Sequence, residues 1–387
     1  MFAAHNDTSG LVTNNGDVYI WGLDFCHIKY QQNHGDIAIP MIIPRVRFQN
    51  NNVITSKLNT IEDKIVSLSI GKYDYGVITE NGRLYMWGNN NFGNIGDGTR
   101  KTKYTPTLLP PSAFNNEKII AVSLGYYYSG CITEHGHIYM WGRNFYGQLG
   151  LGYYEDRYEP TLVPPSYFNN EKVIALSLGS SHCGAITESG QLYMWGYNPL
   201  NDLIDDVTMQ QNTPLLIPLS YFNDEKISII SLGDSFSGIV TKSGKIYMWG
   251  DNFNGQVGDG SDIDQISSPV LIDPSYFNNE KIILLCLGGR HSGAITESGK
   301  LYMWGSNTDG QLGLGDTQNR NIPSLVPPIT FNNERIISLS LGYYHSGVVT
   351  ETLKVYTCGY NIFGQLGLGD TKDRLKFEII KNFNYKG

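Results

Sequence analysis

"SGAITESGKLYMWGSNTDGQLGLGD", residues 292–316, packs eight hydrophobic residues, six glycines and a closing Trp-Gly pair into one short phrase. The phrase returns as "SGCITEHGHIYMWG" from Ser129, "CGAITESGQLYMWG" from Cys183 and "SGIVTKSGKIYMWG" from Ser237. Fainter copies are "SGLVTNNGDVYIWG" from Ser9, "YGVITENGRLYMWG" from Tyr75 and "SGVVTETLKVYTCG" from Ser346. The tryptophans are Trp21, Trp87, Trp141, Trp195, Trp249 and Trp304, and Cys358 completes the series. Their spacings are 66, 54, 54, 54, 55 and 54, so only the first interval carries an insertion, of about twelve residues. Self-similarity at a fixed period marks one closed or stacked architecture, which places residues 1–387 in a single domain.

Each unit reads as four short strands. In Lys118 to Asn169, "KIIAVSL" is β-branched and aliphatic, "GCITE" follows the turn "GYYYS", and "HIYMWG" follows the pair His135-Gly136. Such pairs between β-rich runs signal hairpins, because the turn needs positive φ. The others are Asn15-Gly16, Asn81-Gly82, Ser189-Gly190, Ser243-Gly244 and Ser298-Gly299. The seventh unit has Thr352-Leu353, which predicts a wider or strained turn. "PTLVPP" supplies a fourth strand, confined by its prolines to an edge. No helical periodicity is present.

Ile138, Tyr139, Met140 and Trp141 leave no polar face, so these strands are covered on both sides. Four-stranded sheets covered by their neighbours and repeated seven times make an all-β, seven-bladed β-propeller. Tryptophan supplies flat area for packing between blades, and the glycine after it lets the chain leave the sheet tightly. The chain starts inside a unit: Phe2-Ala3-Ala4 aligns with the end of a first strand and "KFEIIKNFNYKG" with "PTLVPPSYFNNEK". Closure of the ring therefore brings Met1 and Gly387 together.

The chemistry-bearing motifs have structural explanations. "GQLGLGD", clearest from Gly147, Gly310 and Gly364, contains GxxGxG but lacks the helix and Lys-Ser/Thr of a phosphate cradle. His182, His291 and His345 share one repeat position, held elsewhere by Thr8, Asp74, Tyr128 and Phe236. Equivalent positions on separate blades do not converge on one metal, so the histidines are expected to bond their own loop or the next blade. No catalytic constellation, metal or cofactor is expected.

Composition narrows the partners. The net charge is -8, yet residues 1–130 hold eleven basic and ten acidic residues, +1, leaving 17 and 26 in the remainder, -9. An acidic balance argues against generic attraction to phosphate backbones or anionic membranes. There is no apolar run of 18 residues and no signal-peptide pattern. The odd set Cys26, Cys131, Cys183, Cys286 and Cys358 fits reduced thiols in an intracellular, cytoplasmic or nuclear, protein.

Strand parity puts the first turn and the loop after Trp-Gly of every unit on one face. The first turns carry Asn6-Asp7, Lys72-Tyr73, Tyr126-Tyr127, Ser180-Ser181, Asp234-Ser235, Gly289-Arg290 and Tyr343-Tyr344. The second loops add Arg143, Phe145, Tyr146, Tyr197, Phe253 and Phe363. Variable loops on a rigid scaffold, rich in Tyr and Arg, are where binding concentrates. The expected partner-binding set is Lys72, Tyr73, Tyr126, Tyr127, Arg143, Tyr146, Arg290, Tyr343 and Tyr344. The opposite face carries a ring of Glu80, Glu134, Glu188, Lys242, Glu297 and Glu351.

The consensus "LGxxHSGxxTExGxLYxWGxNxxGQLGLGD" resembles the repeat of the regulator of chromosome condensation family, over essentially the whole chain. The resemblance implies a seven-bladed propeller. It implies several functions, because family members serve as exchange factors, chromatin binders, photoreceptors, inhibitors and interaction modules. A protein-interaction role is the leading expectation, and guanine-nucleotide exchange on a Ran-like small GTPase is the alternative. Exchange members use an inserted β-wedge, for which only Asn33 to Asp63 is long enough here, and a basic tail that this chain does not show. Photoreceptor members use extra tryptophans on one face, whereas all six here are Trp-Gly residues. Nucleic-acid binding would rest on Arg100, Lys101 and Lys103 beside Tyr104, a pattern more typical of a solvated loop.

Overall fold

A computed structural model describes residues 2–5, 7–23, 37–43, 63–197 and 210–381. Their 28 strands form seven antiparallel four-stranded sheets, each contiguous in sequence. The chain is thus a seven-bladed β-propeller. In the third blade the strands are Ile119–Leu124, Tyr128–Thr133, Ile138–Gly142 and Arg157–Leu162, running from the inside outward. Pro160 sits in the outermost strand, where a missing N–H leaves no ladder bond unmade. That strand begins earlier than "PTLVPP" suggests, because the two prolines after Val163 leave it for a short 3-10 turn, Pro165–Phe168.

Four equivalent turns are Pro111–Phe114, Leu219–Phe222, Pro274–Phe277 and Pro328–Phe331. Sequence periodicity misses these turns because each is only four residues long. Each ends in a residue pair at positive φ, such as Asn169 (54°) and Asn170 (60°). Asparagine tolerates that conformation best among residues with a side chain, which accounts for the recurring "FNN". The phenylalanine is buried: Phe168 meets Tyr193 edge-on at 5.2 Å and Trp195 at 6.1 Å. The linker leaving one blade therefore helps to build the core of the next.

All six tryptophans are buried to 1% exposure or less. The Trp195 indole N–H donates to the Gln148 carbonyl of the preceding blade at 2.9 Å. Trp21 does the same to Gln365, Trp141 to Asn94 and Trp304 to Gln256, at 2.9 to 3.0 Å. Beneath these four rings lies the second glycine of "GQLG" or its variants "GNIG" and "GQVG". A Cβ on Gly150 would stand 2.8 Å from the Trp195 Nε1 nitrogen, and one on Gly258 2.5 Å from that of Trp304. The glycine-rich phrase is thus the socket for the next blade's tryptophan.

The seventh blade departs from this scheme in two places. Cys358 replaces tryptophan, and the ring of Phe377 fills the space, 5.3 Å from Phe331. By strand register Phe377 occupies the position of Pro106, Pro160, Pro214, Pro269 and Pro323, so two substitutions compensate each other. The Thr352-Leu353 turn keeps the two-residue length of the others, closed by Leu353 N–H to the Thr350 carbonyl at 2.8 Å. It is strained rather than widened, since Leu353 has φ of 66°.

Inner strands are laced by hydroxyls. Ser123, Ser177 and Ser231 accept from the N–H groups of Leu178, Leu232 and Leu287 in the following blade, at 3.2, 3.1 and 3.0 Å. Ser340 accepts from Ala4 N–H at 2.8 Å, and the same bond thereby closes the ring between last and first blades. Phe2, Ala4, Leu11, Trp21, Val349, Val355 and Ile380 share one apolar cluster at that seam. The expected meeting of Met1 and Gly387 lies outside the described residues, as do Asn6, Cys26 and most of Asn33 to Asp63.

Candidate functional site on the loop-bearing face

The first turn and the post-tryptophan loop lie together in every blade. Backbone bonds join them: Asn89 N–H to Tyr73, Arg143 to Tyr127, Tyr197 to Ser181, Asp251 to Ser235, Ser306 to Arg290 and Tyr360 to Tyr344, at 2.8 to 3.0 Å. These loops therefore make one surface around the channel mouth.

The mouth is bridged. Tyr343 donates its phenol to Asp234 Oδ2 at 3.1 Å from two blades away, and Tyr126 lines the same mouth, where the Asp234 charge acts on its phenol. Burial, then the Asp234 charge, pushes the Tyr343 phenol up to about 12, and the Tyr126 phenol is raised further. Beneath them lies a cavity of about 50 Å³ walled by Gly179, Gly233, Gly288, Gly342 and His5. Burial, with Lys72 nearby, lowers His5 to about 4, so its ring is neutral near pH 7. Tyr126 and Tyr343 thus line the channel mouth, a role their repeat position does not announce.

A ridge of rings and cations runs outward over blades two to four. Tyr73 stacks on Tyr127 at 5.2 Å, and Phe92 lies 4.9 Å from Tyr127. The Arg143 guanidinium sits over Phe92 and Phe145 at 5.2 and 5.7 Å. Phe145 meets Tyr146, which meets Tyr197, at 4.9 and 5.5 Å. The Lys72 ammonium lies over the rings of Tyr126 and Tyr73, at 4.1 and 5.5 Å. Tyr127 holds φ of 138°, a backbone strain kept in place by the rings on both sides. Phe145 is 60% exposed and Tyr197 44%.

Of the expected set, Lys72, Tyr73, Tyr127, Arg143 and Tyr146 therefore share one ridge. Tyr344 belongs to a second cluster, 4.5 Å from Tyr343 and 6.0 Å from Tyr360. Arg290 is exposed near Asp251, whose carboxyl is raised by burial and by Asp234 and lowered by Arg290. The hub role of Asp234 was not legible beforehand. The only signal is its acidity at a first-turn position where other units carry Asn, Lys, Tyr, Ser or Gly.

Elsewhere the motifs serve the scaffold. His182, His291 and His345 share hydrogen bonds through Nε2 with Ser237, Ser346 and Ser9 of the next blade, at 3.1, 2.9 and 2.8 Å. Burial lowers His182 to about 4 and His291 to about 3. The Arg100–Lys103 cluster is divided: Lys103 pairs with Asp97, while Arg100 reaches the Asn91 carbonyl and lies 5.7 Å from the Tyr158 ring centre. On the opposite face Glu134 and Glu351 accept from the backbone of Lys118 and Arg335, at 3.2 and 3.3 Å. Among the described residues no helix is long and apolar enough to cross a membrane.

Comparison with known proteins gives a consistent answer. The RCC1-like domain model matches residues 49–386. The chain is 31% identical over 328 residues to the Arabidopsis thaliana ultraviolet-B receptor UVR8, covering 84% of this chain and 71% of that protein. It is 28% identical to the mitochondrial RCC1 domain-containing protein RUG3 of Arabidopsis thaliana, covering 78% and 67%. Prp20p of Saccharomyces cerevisiae superposes with a TM-score of 0.79 at 21% identity, over 97% of this chain and 88% of that one.

Proposed function

The chain belongs to the RCC1-like domain family, and we propose that it is a single-domain, non-catalytic propeller that binds a protein partner through its Tyr/Arg-bearing loop face. The observation that carries this reading is the aromatic crowding of the channel mouth. With Tyr343 tied to Asp234 and Tyr126 beside them, side chains from three blades gather at the centre of this face. Exposed aromatic and Arg side chains around it bury large area at modest entropy cost. All six tryptophans are committed to the core, which leaves none on that face for light absorption of the kind the name UVR8 denotes. The reduced thiols suit action inside a cell.

The test is partner capture with the intact chain, followed by affinity measurements on variants. Arg290→Ala combined with Tyr344→Ala should weaken binding by at least about 2 kcal/mol, or ~30-fold. Glu134→Ala, Glu188→Ala and Glu297→Ala together should do less, since exposed charges mainly tune association rate. The opposite ordering would move the binding site to the Glu-bearing face.

A second reading is guanine-nucleotide exchange on a small GTPase. It is favoured by the long first interval between Trp21 and Trp87 and by the likeness to Prp20p, described with its binding properties to Gsp1p and histones. Release of a fluorescent guanine nucleotide from a Ran-like GTPase, with and without the propeller, decides it.

A further inference from the structure

We infer that the ridge over blades two to four is a docking track for a short acidic segment of a protein partner, an inference that rests on the loop face being the partner-binding one. Lys72, Arg100, Arg143 and Arg157 each lie over an aromatic ring, at distances of 4.1 to 5.7 Å. The ion pairs found among the described residues include none to these four cations. Among the described residues their positive charge is positioned by ring faces without a carboxylate in ion-pair contact, Asp7 acting on Lys72 only through its charge.

The other blades show what was changed. By strand register Arg157 is equivalent to Arg320 and Arg374. In those blades the residue four positions earlier is Asp316 or Asp370, which forms an ion pair at 2.6 or 2.7 Å. In blade three that residue is Tyr153, whose ring lies 4.6 Å from the Arg157 guanidinium and whose hydroxyl accepts from Nε at 2.8 Å. A neutralising partner has been exchanged for an orienting one. Arg143 likewise stands where the other units carry Leu23, Asn89, Tyr197, Asp251, Ser306 or Tyr360. Lys72 stands where they carry Tyr126, Ser180, Asp234, Gly289 or Tyr343.

Carboxylates within this sector are buried, bonded or turned outward: Asp74 is buried and Asp97 pairs with Lys103. Asp7 feels the Lys72 charge, Asp156 accepts from the Asn144 backbone at 2.7 Å, and Glu155 and Glu159 are exposed toward the outer strand. Three strand spacings of ~4.8 Å make a track of about 14 Å, the length of four or five extended residues. That favours a short acidic segment with apolar side chains, which could use the exposed faces of Phe145 and Tyr197. A long polyanion would run onto Asp234, Asp251 and the exposed Asp264 on blade five, where like charge repels it.

The experiment uses the intact chain and a fluorescein-labelled peptide, Asp-Glu-Phe-Asp-Asp-Leu-Glu, with its Lys-substituted counterpart and a twenty-residue oligothymidylate as controls. Fluorescence anisotropy should show binding of the acidic peptide alone, weakened at least tenfold between 50 and 500 mM salt. Tyr153→Asp restores the ion pair that blades six and seven already fold with, and should weaken binding at least threefold. Arg143→Ser, the residue of unit six, should weaken it about tenfold, with unchanged melting temperature confirming the fold. Unchanged affinity in both variants, tighter binding of oligothymidylate, or sedimentation showing the track occupied by a second copy would overturn the inference. If the captured partner is lost with Arg290→Ala and Tyr344→Ala but not with Arg143→Ser, the loop face stands and the acidic track falls.

Discussion

Tyr343 of blade seven and Asp234 of blade five are 109 residues apart in sequence and joined by a 3.1 Å hydrogen bond across the channel mouth. Tyr126 of blade three lines the same mouth and feels the Asp234 charge, so one acidic side chain joins blades five and seven beside a third. Asp234→Ala should lower stability by about 1–2 kcal/mol, since partial solvent access moderates a charge-assisted bond. Asp234→Asn should recover part of the loss. A urea midpoint unchanged in the alanine variant would mean that the bridge is ornamental.

Leu353 takes a conformation that glycine holds in the turns Ser189-Gly190, Ser243-Gly244 and Ser298-Gly299. Leu353→Gly should therefore stabilise the chain by about 1 kcal/mol, strain relief exceeding the added freedom of the unfolded glycine. Thermal unfolding would show it as a higher midpoint. A lower midpoint would mean that the leucine side chain packs better than its 44% exposure indicates.

Asp74 occupies the repeat position of the buried histidines, and burial raises its carboxyl to about 7 despite the Asn94 amide donating at 3.0 Å. A folded-state pKa above the unfolded value means that the folded chain holds the proton more tightly. The contribution to stability is complete below about pH 4 and is lost as pH rises through 7. His182 and His291 act in the opposite sense, because their depressed values make stability fall as pH drops below 6.5. Comparison with Asp74→Asn separates the two. The variant should gain melting temperature relative to the parent at pH 8 and lose that advantage at pH 5. Parallel profiles would show that Asp74 does not titrate in this range.

The Cys358 and Phe377 pair predicts strong non-additivity. Cys358→Trp should cost about 1–3 kcal/mol by overpacking against the Phe377 ring, and Phe377→Pro about 3 kcal/mol through the cavity it leaves. The double variant restores the arrangement of the other blades and should lie at least about 2 kcal/mol above the sum of the single effects. Additive losses would show that the two sites do not share one space.

The architecture was readable because its determinants are local and repeated. Trp-Gly periodicity counts the blades, Ser-Gly and Asn-Gly pairs fix the hairpins, and strand parity assigns each loop to a face. Bonds that join residues far apart leave no such trace. Nothing in the first-turn list distinguishes Tyr126 and Tyr343, which meet Asp234, from Tyr344, which is exposed. Phe92 is equally hidden, because "NNFGN" reads as a polar turn, yet its ring connects Tyr127 to Arg143. The exchange of proline for Phe377 becomes intelligible only when register places it beside Cys358.

The tryptophan sockets carry a consequence for how the ring moves. In the seams where both sides are described, Trp21, Trp141, Trp195 and Trp304 each latch onto the preceding loop through an indole N–H. Between blades six and seven the Gln311 carbonyl keeps the serine bond of three of those seams, from the Ser346 hydroxyl at 2.6 Å, but in place of the indole it receives only the Cys358 thiol at 3.5 Å, a weak donor. A closed ring under thermal agitation parts first where its clasp is lightest, and backbone amides along that seam should exchange with solvent before those of any tryptophan-latched neighbour. Breathing of this molecule thus has an address, and it lies beside Tyr343 and Tyr344.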